Sequence, residues 1–303
     1  MSSVRIALAL VLLWVSGPGA ATAIPARFPS PDAAVAALVQ AVRASDRAAL
    51  LGILGPDARA LISSGDEIAD RQSRERFIRA YDQAHRLVEV QPGKLVLTVG
   101  PDEWPMPIPL VREGAGWRFD TSQGREEILN RRIGRNELNA VQVCLAYVDA
   151  QREYYVRDPD GDALLQYAQR FRSTPGKRDG LYWTSQPDEP PSPLGVLVAR
   201  AEAAGYPAKG PAGPRIPYWG YYYRIVKAQG PHASGGAYDY VVRGSMIGGF
   251  ALVAYPAEYG ASGVMTFIVN HDGVVYQKDL GPSTTATARA LTTFDPDPTW
   301  SRF

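Results

Sequence analysis

The chain has one cysteine, Cys144, in 303 residues. A lone thiol cannot close an intramolecular disulfide, so stability must come from a packed core, and zinc sites built on paired cysteines are excluded. Cys144 lies on an apolar helical stripe with Val141, Leu145 and Val148, the pattern of a small buried hydrophobe rather than a reactive thiol. Histidine is nearly as scarce. His85, His232 and His271 are the three present, with no metal-ligand spacing between them. Charge of one sign is also missing, since the formal net charge is +1. That balance excludes electrostatic binding to nucleic acid or anionic lipid as the chain's business. The arginines 125, 131, 132 and 135 alternate with Glu126, Glu127 and Glu137, which reads as a solvated helix face. No apolar run reaches the roughly 20 residues that span a bilayer. The motifs of common chemistry are missing too: no phosphate loop, no dinucleotide fingerprint and no zinc-protease helix. Gly260-Ala261-Ser262-Gly263-Val264 begins like a nucleophile elbow but lacks its last glycine and sits between strands, so it is rejected.

What is present begins with an address. Residues 1–5 carry one positive charge, 6–15 (IALALVLLWV) are unbroken apolar, and 16–23 end in Ala21-Thr22-Ala23. These are the three parts of a cleavable export signal, leaving a mature chain that starts near Ile24. With Arg5 removed, that mature chain is formally neutral.

Behind the signal, periodicity divides the chain into two α+β domains, 24–130 and 131–303. Ser30 is placed to cap a helix with Pro31 at its first position, and Val35, Leu38, Val39 and Val42 follow on one face. Asp46 caps a second helix that Gly55-Pro56 ends. Residues 57–62 give another helical turn. Asp70 opens a further helix whose inner side carries Phe77, Ile78, Tyr81 and His85, the last placed to cap its C-terminus. Strands are expected at 87–90, 94–99, 108–111 and 117–120. Helices followed by strands in this order resemble the cone-shaped fold of the nuclear-transport-factor-2-like superfamily, which hosts enzymes and binding modules alike.

The second domain is expected to open with a linking helix at 126–132 and a long helix at 136–155, with Leu138, Val141, Leu145, Val148 and Tyr155 on its buried stripe. A short helix at 164–171 and another at 193–203 follow. Strands at 221–228, 238–242, 249–254, 264–270 and 274–278 form a meander, the last two joined by the hairpin signal Asn270-His271-Asp272-Gly273.

The segments AYVDAQREYYVRDPDGD and GGFALVAYPAEYGASGVMTFIVNHDGVVYQKDLG resemble the globular part of type IV pilin-like proteins and pseudopilins. Pilins open on an apolar assembly helix, whereas here a whole domain precedes the corresponding helix, so filament assembly by that route is excluded. The segments FPSPDAAVAALVQAVRASDRAALLGILG, SSGDEIADR, WPMPIPLVREGAGWRFDTSQGREEILNRRIGRNEL and STPGKRDGLYW resemble an exported bacterial family, domain of unknown function 2950. That resemblance implies a periplasmic or secreted location and a two-part architecture. It assigns no reaction.

Three clusters are candidate sites. Ser64, Asp66 and Asp70 form a polar loop at the expected mouth of the first domain, suited either to a small polar ligand or to turn and cap duty. Trp219, Tyr222 and Arg224 belong to an aromatic run. On a strand, Tyr221 and Tyr223 face the core while Tyr222 and Arg224 face away, open to a partner. Asp158, Asp160 and Asp162 alternate as in Asp-rich calcium loops, which pilin-like proteins often carry in a comparable place. Ala163 and Gln169 stand where an EF-type loop wants glycine and glutamate, so any site is of the weak extracellular class, roughly 0.1–1 mM. With no convergent set of titratable groups, the sequence reads as a non-catalytic envelope protein that binds or scaffolds an envelope protein or polymer. The alternative is a periplasmic hydrolase acting on an envelope polymer through a polar pocket.

Expressed in its native host, the mature protein should begin at or near Ile24. N-terminal sequencing checks this, and soluble cytoplasmic protein with Met1 intact would overturn it.

Overall fold

The computed structural model describes residues 25–159, 161, 163–186, 188–207 and 216–303. The expected export signal, Arg5 and Ala21-Thr22-Ala23 included, lies outside them. The architecture is α+β, with helices packed on antiparallel sheets.

The first helices follow the chain's capping chemistry. Ser30 accepts a hydrogen bond from Ala33 N at the start of α1 (Pro31–Ala44), and Asp46 does the same from Ala49 N for α2 (Arg47–Leu54). A 3-10 turn (Pro56–Ala58) leads into α3 (Arg59–Ile62). The next helix, α4 (Glu67–Gln83), starts earlier than the sequence suggests. Its cap is Asp66, and Asp70 falls in its first turn. His85 lies beyond the helix, in β1, yet its Nδ1 sits 2.9 Å from the Tyr81 carbonyl and its ring stacks on Tyr81.

The strands β1 (His85–Gln91), β2 (Lys94–Val99), β3 (Trp104–Pro105), β4 (Leu110–Glu113) and β5 (Gly116–Phe119) form one antiparallel sheet in the order β1-β2-β4-β5, with β3 paired on β2. Leu38, Leu54, Leu97, Ile108, Leu110 and Phe119 are among the buried residues that join α1 and α2 to this sheet.

α5 (Thr121–Arg157) is one unbroken helix of 37 residues, about 55 Å long at 1.5 Å per residue. The expected separation into a linking helix and a long helix is absent. No proline interrupts the segment, and a lone glycine costs about 1 kcal/mol, too little to break a helix packed on both sides. Its buried stripe is also shifted from the expected one. Val141, Cys144, Tyr147, Val148, Gln151 and Tyr154 are buried, whereas Leu138 and Leu145 are exposed and Tyr155 is half-buried.

Beyond it, residues 164–171 form no helix. The side-chain amide of Gln151 replaces helical bonding there: its Oε1 accepts from Ala168 N and its Nε2 donates to Ala168 O, both at 2.8 Å. Tyr167 N donates to the Met246 carbonyl instead. After α6 (Gly195–Ala203) come β6 (Tyr221–Val226) and the short pieces β7 (Ala228–Gln229), β8 (Tyr238–Asp239), β9 (Val241–Val242) and β10 (Ser245–Met246). The main sheet adds β11 (Ala251–Pro256), β12 (Met265–Asn270), β13 (Val275–Asp279) and, after α7 (Thr284–Ala290), β14 (Ser301–Arg302). Its order is β14-β13-β12-β11-β6, so β6 is an outermost strand among the described residues. Every residue of β11 is buried, which requires cover on both faces of the sheet. α5 packs on this sheet, and α7, which the sequence reading does not anticipate, packs on β11.

Two glycines of α5 behave oppositely. A Cβ on Gly124 would stand 2.4 Å from the Pro107 carbonyl group, whereas a Cβ on Gly134 meets nothing within 4 Å. Gly124→Ala should therefore destabilise by about 1–3 kcal/mol despite the better helix propensity of alanine. Gly134→Ala should stabilise by about 0.5–1 kcal/mol. Denaturant midpoints measure both, and equal effects would contradict the packing.

Candidate functional site

The polar loop, suited by its sequence either to a small polar ligand or to turn and cap duty, is a buried joint. Ser64, Asp66 and Asp70 are all buried. Asp70 spends both carboxylate oxygens on Ser64, accepting from its N at 2.9 Å and its Oγ at 2.7 Å. Asp66 caps α4 with one oxygen, accepting from Ala69 N at 3.0 Å. Its other oxygen accepts from the Tyr206 hydroxyl at 2.7 Å and Gly220 N at 2.8 Å. Ser64 and Asp66 thus face protein on every side, and the turn-and-cap reading describes the loop better than an open ligand site. Asp70 alone of the three also lines a cavity.

That cavity, about 630 Å³, lies between the helices and the first sheet. Its cause is legible along α4. The inward positions at helical spacing are Asp70, Ser73, Arg74, Phe77 and Ala80, so one large apolar side chain serves a face that would need several to fill the space. Leu38, Leu54, Met106 and Ile108 make the floor. Five arginines share the wall with Asp70: Arg74 and Arg76 from α4, and Arg131, Arg132 and Arg135 from α5. The volume falls in the range of small-molecule sites.

Arg125 is exposed, as expected of a solvated helix face, and so are Arg131 and Arg135, although these two and the half-buried Arg132 line the cavity. With Ile128 these three occupy the i, i+3, i+4, i+7 stripe that ordinarily faces a core. Arg132 is partly buried and donates to the Ala60 and Leu61 carbonyls at 2.6 and 2.5 Å, closing the end of α3. Arg131 pairs with Glu127 and lies over the Trp104 ring at 6.0 Å. Arg76 donates to Ser73 Oγ at 2.9 Å. Burial lowers the pKa of both Arg76 and Arg132, and repulsion from Arg135 adds to each. Arg74, Arg76, Arg132 and Arg135 have no ion-pair partner among the described residues.

The aromatic run takes the alternation expected of it, but its outer face is occupied. Tyr222 and Arg224 are half-buried. The Arg224 guanidinium donates to the Ala288 and Leu291 carbonyls, holding the end of α7, and the Tyr222 ring stands 5.6 Å from that of Tyr255. Trp219, with φ of 51°, donates its N–H to the Tyr206 hydroxyl at 3.1 Å and packs near the rings of Tyr206 and Tyr218. Of the partner surface expected at these two strand residues, Arg224 is engaged by the end of α7, while Tyr222 lies against Tyr255. Arg224 and Tyr222 also line a second cavity of about 650 Å³ beside β6.

Asp160 and Asp162, two of the three carboxylates of the expected calcium loop, lie outside the described residues. Asp158 ends α5 in the left-handed region, with Oδ2 accepting from Ala163 N at 3.1 Å. Ala163 itself has φ of 63°, the conformation for which glycine is favoured. Gln169 has both ends of its amide engaged, with Gly244 and Lys227. Among the described residues no group of three or more histidines, cysteines, aspartates or glutamates is placed to hold a metal ion. Burial pushes the Cys144 thiol up to about 12, far from a nucleophilic thiolate. Ser262 Oγ accepts from Glu258 N and donates to Glu258 O, as a turn staple.

Residues 26–303 match the family described as protein of unknown function DUF2950. The chain belongs to this family. No curated protein and no solved structure matches the DUF2950 chain. Among its described residues no helix is long and apolar enough to cross a membrane.

Burial raises the Asp66 carboxyl above its ordinary value of 3.8, and Asp70 adds to the rise, while the hydrogen bonds from Ala69, Gly220 and Tyr206 oppose it. An acid whose pKa rises on folding holds its proton more tightly in the folded chain. Its contribution is full below 3.8 and is lost as pH rises through the raised folded value. Asp66→Asn turns an amide N–H₂ toward groups that are themselves donors and should cost about 1–3 kcal/mol. The gap between wild type and variant should narrow as pH rises from 3.8 toward neutrality. Melting temperatures across that range measure it, and a gap that widens with pH contradicts the assignment.

Proposed function

We propose that the protein is an exported cell-envelope module that binds a small ligand without transforming it, using the cavity between α1, α4, α5 and the first sheet. The single observation that carries this reading is a cavity of about 630 Å³ with an apolar floor and a wall of cationic groups. Its one acid, Asp70, has both oxygens engaged by Ser64. General acid–base hydrolysis requires a carboxyl or imidazole within reach of substrate, and no second acid and no histidine lines this cavity. Export rests on the leader pattern of residues 6–23. The long helix on an antiparallel meander supports the pilin-like reading of the second half, and the helices on one sheet support the NTF2-like reading of the first.

Protein purified gently from the envelope fraction of its native host should carry a small molecule that native mass spectrometry detects and denaturation releases. Ala80→Phe, which puts a ring into the cavity, should remove it. Turnover of an added envelope polymer by the purified chain would overturn the reading in favour of the hydrolase.

A further inference from the structure

The cavity wall combines two features that a packed core avoids. Leu38, Met106 and Ile108, which are buried, and the half-buried Phe77 make its lining apolar. Above them stand guanidinium groups, of which Arg131 is paired with Glu127 while Arg74, Arg76, Arg132 and Arg135 have no ion pair among the described residues. Arg76 and Arg135 are exposed and line the cavity, so they stand at its mouth. The two cations repel one another. The Nε of Arg74 is buried and has no hydrogen-bond partner. Like charges held together at the edge of an apolar hollow are relieved by an anion, and the hollow is relieved by hydrocarbon. One molecule that does both has an acidic head and an apolar tail.

We propose that the cavity binds a single-chain amphipathic anion, its tail laid on Leu38, Phe77, Met106 and Ile108 and its head held by Arg76 and Arg135. The proposal rests on the reading of this cavity as a binding site. A cationic ligand is disfavoured because Asp70 is spent on Ser64 and Glu127 on Arg131. A polar sugar is disfavoured because the floor offers it few hydrogen-bond partners. Carboxylate and phosphate heads share the needed chemistry, since both accept paired hydrogen bonds from guanidinium.

The test is calorimetric titration of the mature chain with dodecanoate, dodecyl phosphate, dodecanol and dodecyltrimethylammonium, all below micelle formation. Dodecanoate, dodecyl phosphate or both should bind, and which of them binds names the head group. Affinity should fall about fourfold for each methylene removed from the tail, and it should fall with added salt. Arg76→Gln and Arg135→Gln, both at exposed positions, should each weaken the anions about tenfold and leave dodecanol unchanged. If dodecanol or the cation binds as tightly as the anions, or if the arginine variants change nothing, the anion proposal fails while the cavity remains a binding site. If no probe binds and the natively purified protein also carries no ligand, both readings fail together.

Discussion

The structure depends on one buried carboxylate. Asp66 is called on by three donors from distant parts of the chain: the start of α4, the hydroxyl of Tyr206 after α6, and the backbone of Gly220 ahead of β6. Burying a charged group is expensive unless it is fully hydrogen-bonded, and here both oxygens are used. The close approach around it follows. Gly65, with φ of 84°, sets its bare backbone against Ala257 and Glu258. Gln72 donates to the Ala204 carbonyl nearby. Farther along, Asn136 donates to the Ser262 carbonyl, and Glu137 accepts from Val264 N and Met265 N. The contact between the two halves is therefore polar and directional, unlike the apolar clusters on either side of it.

This joint fixes the N-terminal end of α4, while its C-terminal end packs on β1 and β2. Anchored at its N-terminus by Asp66 and Asp70, the helix does not need a full apolar stripe to hold its place, and Asp70 is its one buried residue. The space left under it is walled by α5, whose arginines have stems long enough to span the gap while their heads reach water. A helix with leucines at 131, 132 and 135 would close the hollow. The chain keeps it open with charge.

The caps Ser30 and Asp46, the α+β class and the burial of Cys144 were legible because each follows from local chemistry. Ser30 and Asp46 cap the helices they precede. Other features are settled by partners that sequence distance conceals. The helix expected at 164–171 loses to the Gln151 amide, which lies on another element. Arg224, on the outward face of β6, is held by the end of α7, more than 60 residues later. The arginines of α5 look like a solvated face when read with their glutamate neighbours. They look like a cavity wall only when Ile128, Arg131, Arg132 and Arg135 are taken as one helical stripe, a pattern present in the sequence and outweighed there by composition.

The unbroken course of α5 fixes a phase. Within a few residues the helix presents Arg131, Arg132 and Arg135 to the cavity and then Asn136 and Glu137 to the loop before β12. Each residue of an α-helix advances 1.5 Å and turns about 100°. One residue inserted between Ile128 and Arg135 would rotate the second apolar cluster, together with Asn136, Glu137 and their partners, by that angle relative to the first. Seven residues would restore the angle to within about 20° but move the clusters about 10 Å apart. Length variation in this chain therefore belongs in its loops, and the helix serves as a gauge whose residue count is as constrained as any side chain on it.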